Sequence, residues 1–123
     1  PLLGSGPDTF NMVFRMTRDE AKHYFGASYF YVDKAHNNYL QIAATMGLPA
    51  LFSYVLFLFL SMKKSWSGIV RRGFQRNIYP LALFSGLLGY MIQDFFNISV
   101  VSVAPVFWSL MGLLAAHNKK ARD

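Results

Sequence analysis

The sequence predicts an all-α, polytopic membrane protein. Three observations carry this: long apolar stretches, basic clusters beside them, and turn residues between them. Of 123 residues, 54% are hydrophobic and 17% aromatic, against 15% charged. A water-soluble domain of this size needs more polar surface than that. The apolar residues gather in three blocks, 48–66, 78–98 and 100–116, each about the ~20 residues that cross a bilayer as a helix. Pro1 opens the chain with no initiator Met or signal peptide, so a C-terminal part of a longer multi-span protein is expected.

Residues 1–38 form an expected extracytoplasmic segment with short helices. Gly4 and Gly6-Pro7 punctuate a turn, after which Asp8 or Thr9 can cap a first short helix. Thr17 and Glu20 have the T-x-x-E spacing of a capping box, and Gly26 suits the end of that second helix. Tyr24, Phe25, Tyr29, Phe30 and Tyr31 read either as a headgroup-level aromatic cluster or as the packing of a small loop domain.

The transmembrane region is expected over 39–123. Asp33 stands where an N-cap would start a helix near Lys34, running to Met46. Gly47 interrupts it, and Pro49 suits the first turn of the next. Leu48 to Trp66 then forms the first span, with Lys63 and Lys64 extending their charges to the interface. A basic loop follows at 63–77. The second and third spans make a tight hairpin around Asn97 and Ser99, with Pro105 near the start of the third.

Charge placement sets the expected topology. The net charge is +6, but acids and bases balance over 1–38. Residues 63–77 carry Lys63, Lys64, Arg71, Arg72 and Arg76 without an acid, and the tail adds Lys119, Lys120 and Arg122 against Asp123. Basic clusters flanking apolar blocks follow the positive-inside pattern, so 63–77 and the C-terminus are expected in the cytoplasm. Residues 1–38 and the Asp94 end of the second span then face outward. No soluble basic scaffold supports a nucleic-acid partner, and the absence of cysteine excludes disulfides and thiolate metal sites.

Candidate chemistry therefore collects on one side. His36, between Asp33 and Asn37-Asn38, can act as a base near neutrality; equally, these residues can serve only as a polar helix cap. The Gly6 turn can offer backbone N–H groups to an anion, and Arg15 and Arg18 can pair with phosphate or lie on a solvated face. Asp94, at the end of an apolar stretch, is either functional or lifted into the interface. No H-E-x-x-H pattern or other metal spacing occurs, and neither a metal nor a cofactor is expected.

His36-Asn37, nine residues and Gly47 resemble the H-N-x9-G signature of the O-antigen ligase and polymerase family. Ala50 stands where that motif continues with Gly, Thr or Tyr. Gly4-x-Gly-Pro-Asp-Thr-Phe10 and Gln93-Asp94-Phe95-Phe96-Asn97 are similar to its C-terminal region, so the likeness covers most of the chain. The resemblance implies part of a larger GT-C-like bundle in the cytoplasmic membrane. It also implies a metal-independent glycosyltransferase that moves a glycan from undecaprenyl-pyrophosphate to an acceptor glycan or glycolipid. His36 would be its base, and arginines would hold the pyrophosphate. Arg15, Arg18, Asp33, Asn37, Asp94 and Gly6 are the expected substrate-binding set. The rival expectations are a non-catalytic polysaccharide transporter or flippase, or a polymerase subunit.

Overall fold

The computed structural model describes residues 2–26, 32–73, 78–100 and 102–120. Among these the fold is all-α, with six helices: α1 Phe10–Val13, α2 Arg18–Phe25, α3 Asn38–Met46, α4 Leu48–Arg72, α5 Ile78–Gln93 and α6 Ala104–Lys120. Tyr29, Phe30, Tyr31, Arg76 and Arg122, which entered the expected aromatic cluster and basic segments, lie outside the described residues.

The first segment follows its local signals. Thr17 caps α2 with its hydroxyl accepting from the Glu20 N–H, while the Thr17 N–H donates to the Glu20 carboxylate at 2.8 Å. This backbone hydrogen bond and a second from the Thr17 hydroxyl hold Glu20 below the ordinary carboxylate pKa. Gly26, in left-handed conformation, closes the helix as expected. Thr9 sits at the N-cap of α1 but makes no cap bond; its hydroxyl lies 2.7 Å from both the Ser5 hydroxyl and the Gly6 carbonyl.

The expected start of α3 is displaced. Asp33 is not its cap: Asn37 is, its side-chain oxygen accepting from the Leu40 N–H at 3.0 Å. His36, with a φ of 49°, stands outside the right-handed helical region, so the helix begins only after it. At the other end Gly47, with φ 93° and ψ 167°, separates α3 from α4, and Pro49 occupies the first turn of α4. That backbone conformation is essentially confined to glycine.

The three-span expectation meets one helix of sufficient length. Helix α4 runs 25 residues rather than stopping at 66. Residues 63–72 therefore continue the helix instead of opening the loop: the isolated Gly68 is tolerated within it, and α4 ends at Gly73. Helix α5 stops at Gln93, after 16 residues or about 24 Å at ~1.5 Å each, short of the ~30 Å hydrocarbon core. Beyond the helix, the carbonyls of Asp94, Phe95 and Asn97 and the Asp94 side chain accept hydrogen bonds from Asn37 and Asn38 at the start of α3. Helix α6 starts at Ala104, with Pro105 in its first turn, and reaches into the polar tail. By length and composition only α4 among the described helices passes as a membrane crossing, and the connection from α5 to α6 is longer than a tight hairpin.

Helices α4, α5 and α6 pack mutually, α3 packs on α4, and α1 on α3. The buried positions repeat at helical spacing: Leu58, Met62, Ser65 and Ile69 on α4, with Phe107, Met111, Leu114 and Asn118 on α6. On α5 and just beyond, Pro80, Leu87 and Asp94 recur every seven residues, so one seam runs down the helix and ends in a carboxylate. Hydroxyls within the helices bond back along the chain: Thr45 to the Gln41 carbonyl and Ser65 to the Ser61 carbonyl.

Gly4 and Gly47 interlock. The Ser5 N–H donates to the Ala44 carbonyl at 3.0 Å and the Gly6 N–H to the Thr45 carbonyl at 2.8 Å. A Cβ on Gly4 would collide with the Thr45 carbonyl, and one on Gly47 would lie 2.5 Å from the Leu2 carbonyl oxygen. Gly47→Ala is therefore expected to destabilise the protein by at least ~2 kcal/mol, combining backbone strain with a backbone clash. Gly86→Ala, with open space at the Cβ and an ordinary helical backbone, should be neutral or slightly stabilising. Thermal unfolding of the two variants compares them directly; equal melting temperatures would remove the interlock.

Candidate functional site

Sequence-distant pieces meet at the start of α3. The Asn38 backbone N–H donates to the Asp94 carbonyl at 2.8 Å and to the Asn97 carbonyl at 3.0 Å. The Asn38 side-chain amide donates to Asp94 Oδ2 at 2.8 Å, and that of Asn37 to the Phe95 carbonyl at 2.9 Å. At the next residue, the Tyr39 hydroxyl donates to the Met91 carbonyl at 2.9 Å, its ring 4.5 Å from that of Phe95. Together these latch the residues after His36 onto the carboxyl end of α5. They also pair carbonyls that a helix end leaves without partners.

His36 sits on the exposed side of this latch. Asn37 is held on one flank, and on the other the Ala35 N–H donates to Gln41 Oε1 at 2.9 Å. Both neighbours are pinned while the imidazole has no hydrogen-bond partner among the described residues, leaving its nitrogens open to a ligand. It lines a groove of about 510 Å³ whose remaining walls include Phe10, Phe14, Lys34, Leu40 and Leu48. A smaller hollow of about 200 Å³ shares Phe10, Phe14 and Ala44 and reaches Gly4. The groove is apolar over most of its length, with Lys34 and His36 the ionisable groups of its lining.

The expected binding residues divide accordingly. Asn37 uses both ends of its amide internally, as cap and as latch. Asp94 is 1% exposed and accepts a hydrogen bond from Asn38. The Gly6 N–H is taken by Thr45, so the glycine turn does not offer that group to an anion. Arg15, Arg18 and Asp33 are exposed and do not line the groove. The expected binding set did not include Asn38 and Tyr39, which build the latch, or Lys34, the cation that shares the groove with His36. Adjacency to His36 was the available signal for all three.

Asp94 is electrostatically unusual. Its Oδ1 is buried with no hydrogen-bond partner among the described residues. Burial raises its pKa above the ordinary value, opposed by the hydrogen bond from Asn38. Among the described residues no group of three His, Asp or Glu side chains converges as a metal site. Comparison with protein-family models, curated proteins and solved structures finds no match to the chain.

The raised pKa has a definite sign in stability. As pH rises from acid, the unfolded carboxyl ionises first while the folded one keeps its proton. Stability therefore falls between the unfolded and folded pKa and is level above the latter. Asp94→Asn keeps an acceptor for Asn38 and removes the titration. Its stability relative to the parent should increase with pH across that window, as read by unfolding free energies at several pH values. Parallel pH profiles would contradict the burial of an ionising carboxylate.

Proposed function

We propose that the chain forms part of a membrane glycosyltransferase site of the O-antigen ligase type, with His36 as the base. The supporting observation is convergence: the Gly4 turn, the His36-Asn37 pair, Gly47 and Asp94 resemble separate family pieces, and hydrogen bonds or backbone contacts join them around one groove. A membrane setting is supported by α4, since only 17% of its most apolar stretch is buried and the rest leaves an apolar surface uncovered. Phe52, Phe59 and Leu60 project from it at 68%, 59% and 53% exposure. In this proposal the shorter α5 and α6 are also membrane-embedded, residues 1–38 face outward, and the basic end of α4 and the C-terminus face the cytoplasm.

The groove suits a lipid-linked donor. Its apolar walls would take the proximal isoprenoid units, leaving the pyrophosphate beside Lys34 and the sugar near His36. An acceptor hydroxyl oxygen attacks the anomeric carbon and forms the new glycosidic bond. The bond from that carbon to the pyrophosphate oxygen breaks, and the carrier leaves with its electron pair. The hydroxyl proton passes to His36. Lys34 stabilises the charge on the leaving group, a role that substitutes locally for the arginines expected at 15 and 18.

His36→Ala should lower glycan transfer by roughly 10²–10⁴-fold, the usual contribution of a positioned general base, while the protein stays folded. Lys34→Gln should weaken binding of the lipid-linked donor more than Arg15→Gln or Arg18→Gln, since only Lys34 lines the groove. Transfer assays and donor titrations in reconstituted membranes measure both. Normal transfer by His36→Ala would exclude it as the base. Carrier flipping without a new glycosidic bond would favour the transporter.

A further inference from the structure

At the opposite end of the bundle, α4 and α6 enclose a second cleft of about 350 Å³. The two helices run in the same direction along it. The Phe57 ring lies 6.1 Å from that of Trp108 near one end, and the Asn118 amide donates to the Ser65 hydroxyl at 3.0 Å near the other. The cleft is therefore graded: Phe57, Trp108 and Met111 make it apolar, and Lys64, Ser65 and Asn118 make it polar. Asn118 is 5% exposed, yet its Oδ1 has no hydrogen-bond partner among the described residues. It lies where Gly68 lacks a side chain, a Cβ there falling 2.9 Å from that oxygen. The absence of a side chain at Gly68 lets Asn118 pack closely against α4 at the polar end.

Neither α4 nor α6 contains an acidic residue, whereas α4 carries Lys63, Lys64 and Arg71 along this end. The positive charge at the cleft has no counter-carboxylate on either wall. Phosphate alone would leave the apolar length empty, and an uncharged hydrocarbon would leave Lys64 unanswered. We propose that the cleft holds one anionic phospholipid of the surrounding bilayer, of the phosphatidylglycerol kind. Its phosphodiester lies on Lys64 and the first part of an acyl chain along Met111, Phe57 and Trp108. The volume lies at the lower end of the ~300–1,000 Å³ typical of small-molecule sites, sufficient for part of a lipid with the rest in the bilayer. This site rests on the membrane setting proposed above but not on His36 chemistry.

Trp108 reports on the cleft directly. In a Trp66→Phe background, the chain is placed in phosphatidylcholine nanodiscs containing equal small fractions of acyl-brominated phosphatidylglycerol or acyl-brominated phosphatidylcholine. The brominated anionic lipid should quench Trp108 roughly fivefold more, the scale of one lysine acting on an anionic headgroup. The preference should vanish in Lys64→Gln, return in Lys64→Arg, and persist in Lys63→Gln and His36→Ala. Equal quenching by both lipids, or a preference that survives Lys64→Gln, overturns the site while leaving the membrane setting intact. Quenching by neither lipid overturns both.

Discussion

The carboxyl end of α5 organises the half of the molecule that carries His36. A helix end leaves carbonyls without partners, and here Met91, Asp94 and Phe95 give theirs to donors from the start of α3. The Asp94 side chain joins them through Asn38. Without these bonds, α3 would be tied to the bundle mainly through its packing on α4, and the backbone of His36 would lose its fixed exit into the helix. The left-handed conformation of His36 is thus imposed by its C-terminal neighbours: Asn37 and Asn38 must turn toward α5 before the helix can begin.

A second constraint works from the far side of α3. Gly4 and Gly47 allow two backbones to approach where no side chain fits, and the hydrogen bonds from Ser5 and Gly6 hold them there. One end of α3 is therefore latched to α5 and the other clasped by the N-terminal turn. The groove lies along the helix between these fixed points, so Phe10 and Phe14 from α1 and its C-cap can share a wall with His36 and Leu40. Attachment at both ends fixes the backbone that carries His36 on an exposed turn.

Local signals in the sequence were legible where the answer is local. The Thr17–Glu20 capping box, Gly26 as a helix end, the break at Gly47, and Pro49 and Pro105 in first turns depend on a few adjacent residues, and each stands as expected. Asp33 misled because it has the chemistry of a cap, while the decision was made by Asn38 bonding Asp94, 56 residues away. The same bond explains why the apolar run through Ile98 does not continue as α5: Asp94 turns inward and the chain after it serves α3. Lys63 and Lys64 suggested a loop, yet both charges are accommodated on the exposed side of a continuing helix.

For the candidate site, His36 was legible as a type and a motif, but the geometry assigns its neighbours differently. Asn37 and Asp94 support the backbone beside it, and Lys34 takes the place at the groove that isolated arginines were expected to fill. The central claim is that the Asn38–Asp94 bond holds the reactive turn. Exchanging the partners tests this most directly, by comparing glycan transfer in Asn38→Asp, Asp94→Asn and the double variant. A carboxylate at 38 facing Asp94 should disable transfer, and Asp94→Asn should restore it by reversing donor and acceptor. Double-variant transfer no better than that of Asn38→Asp alone would contradict the account.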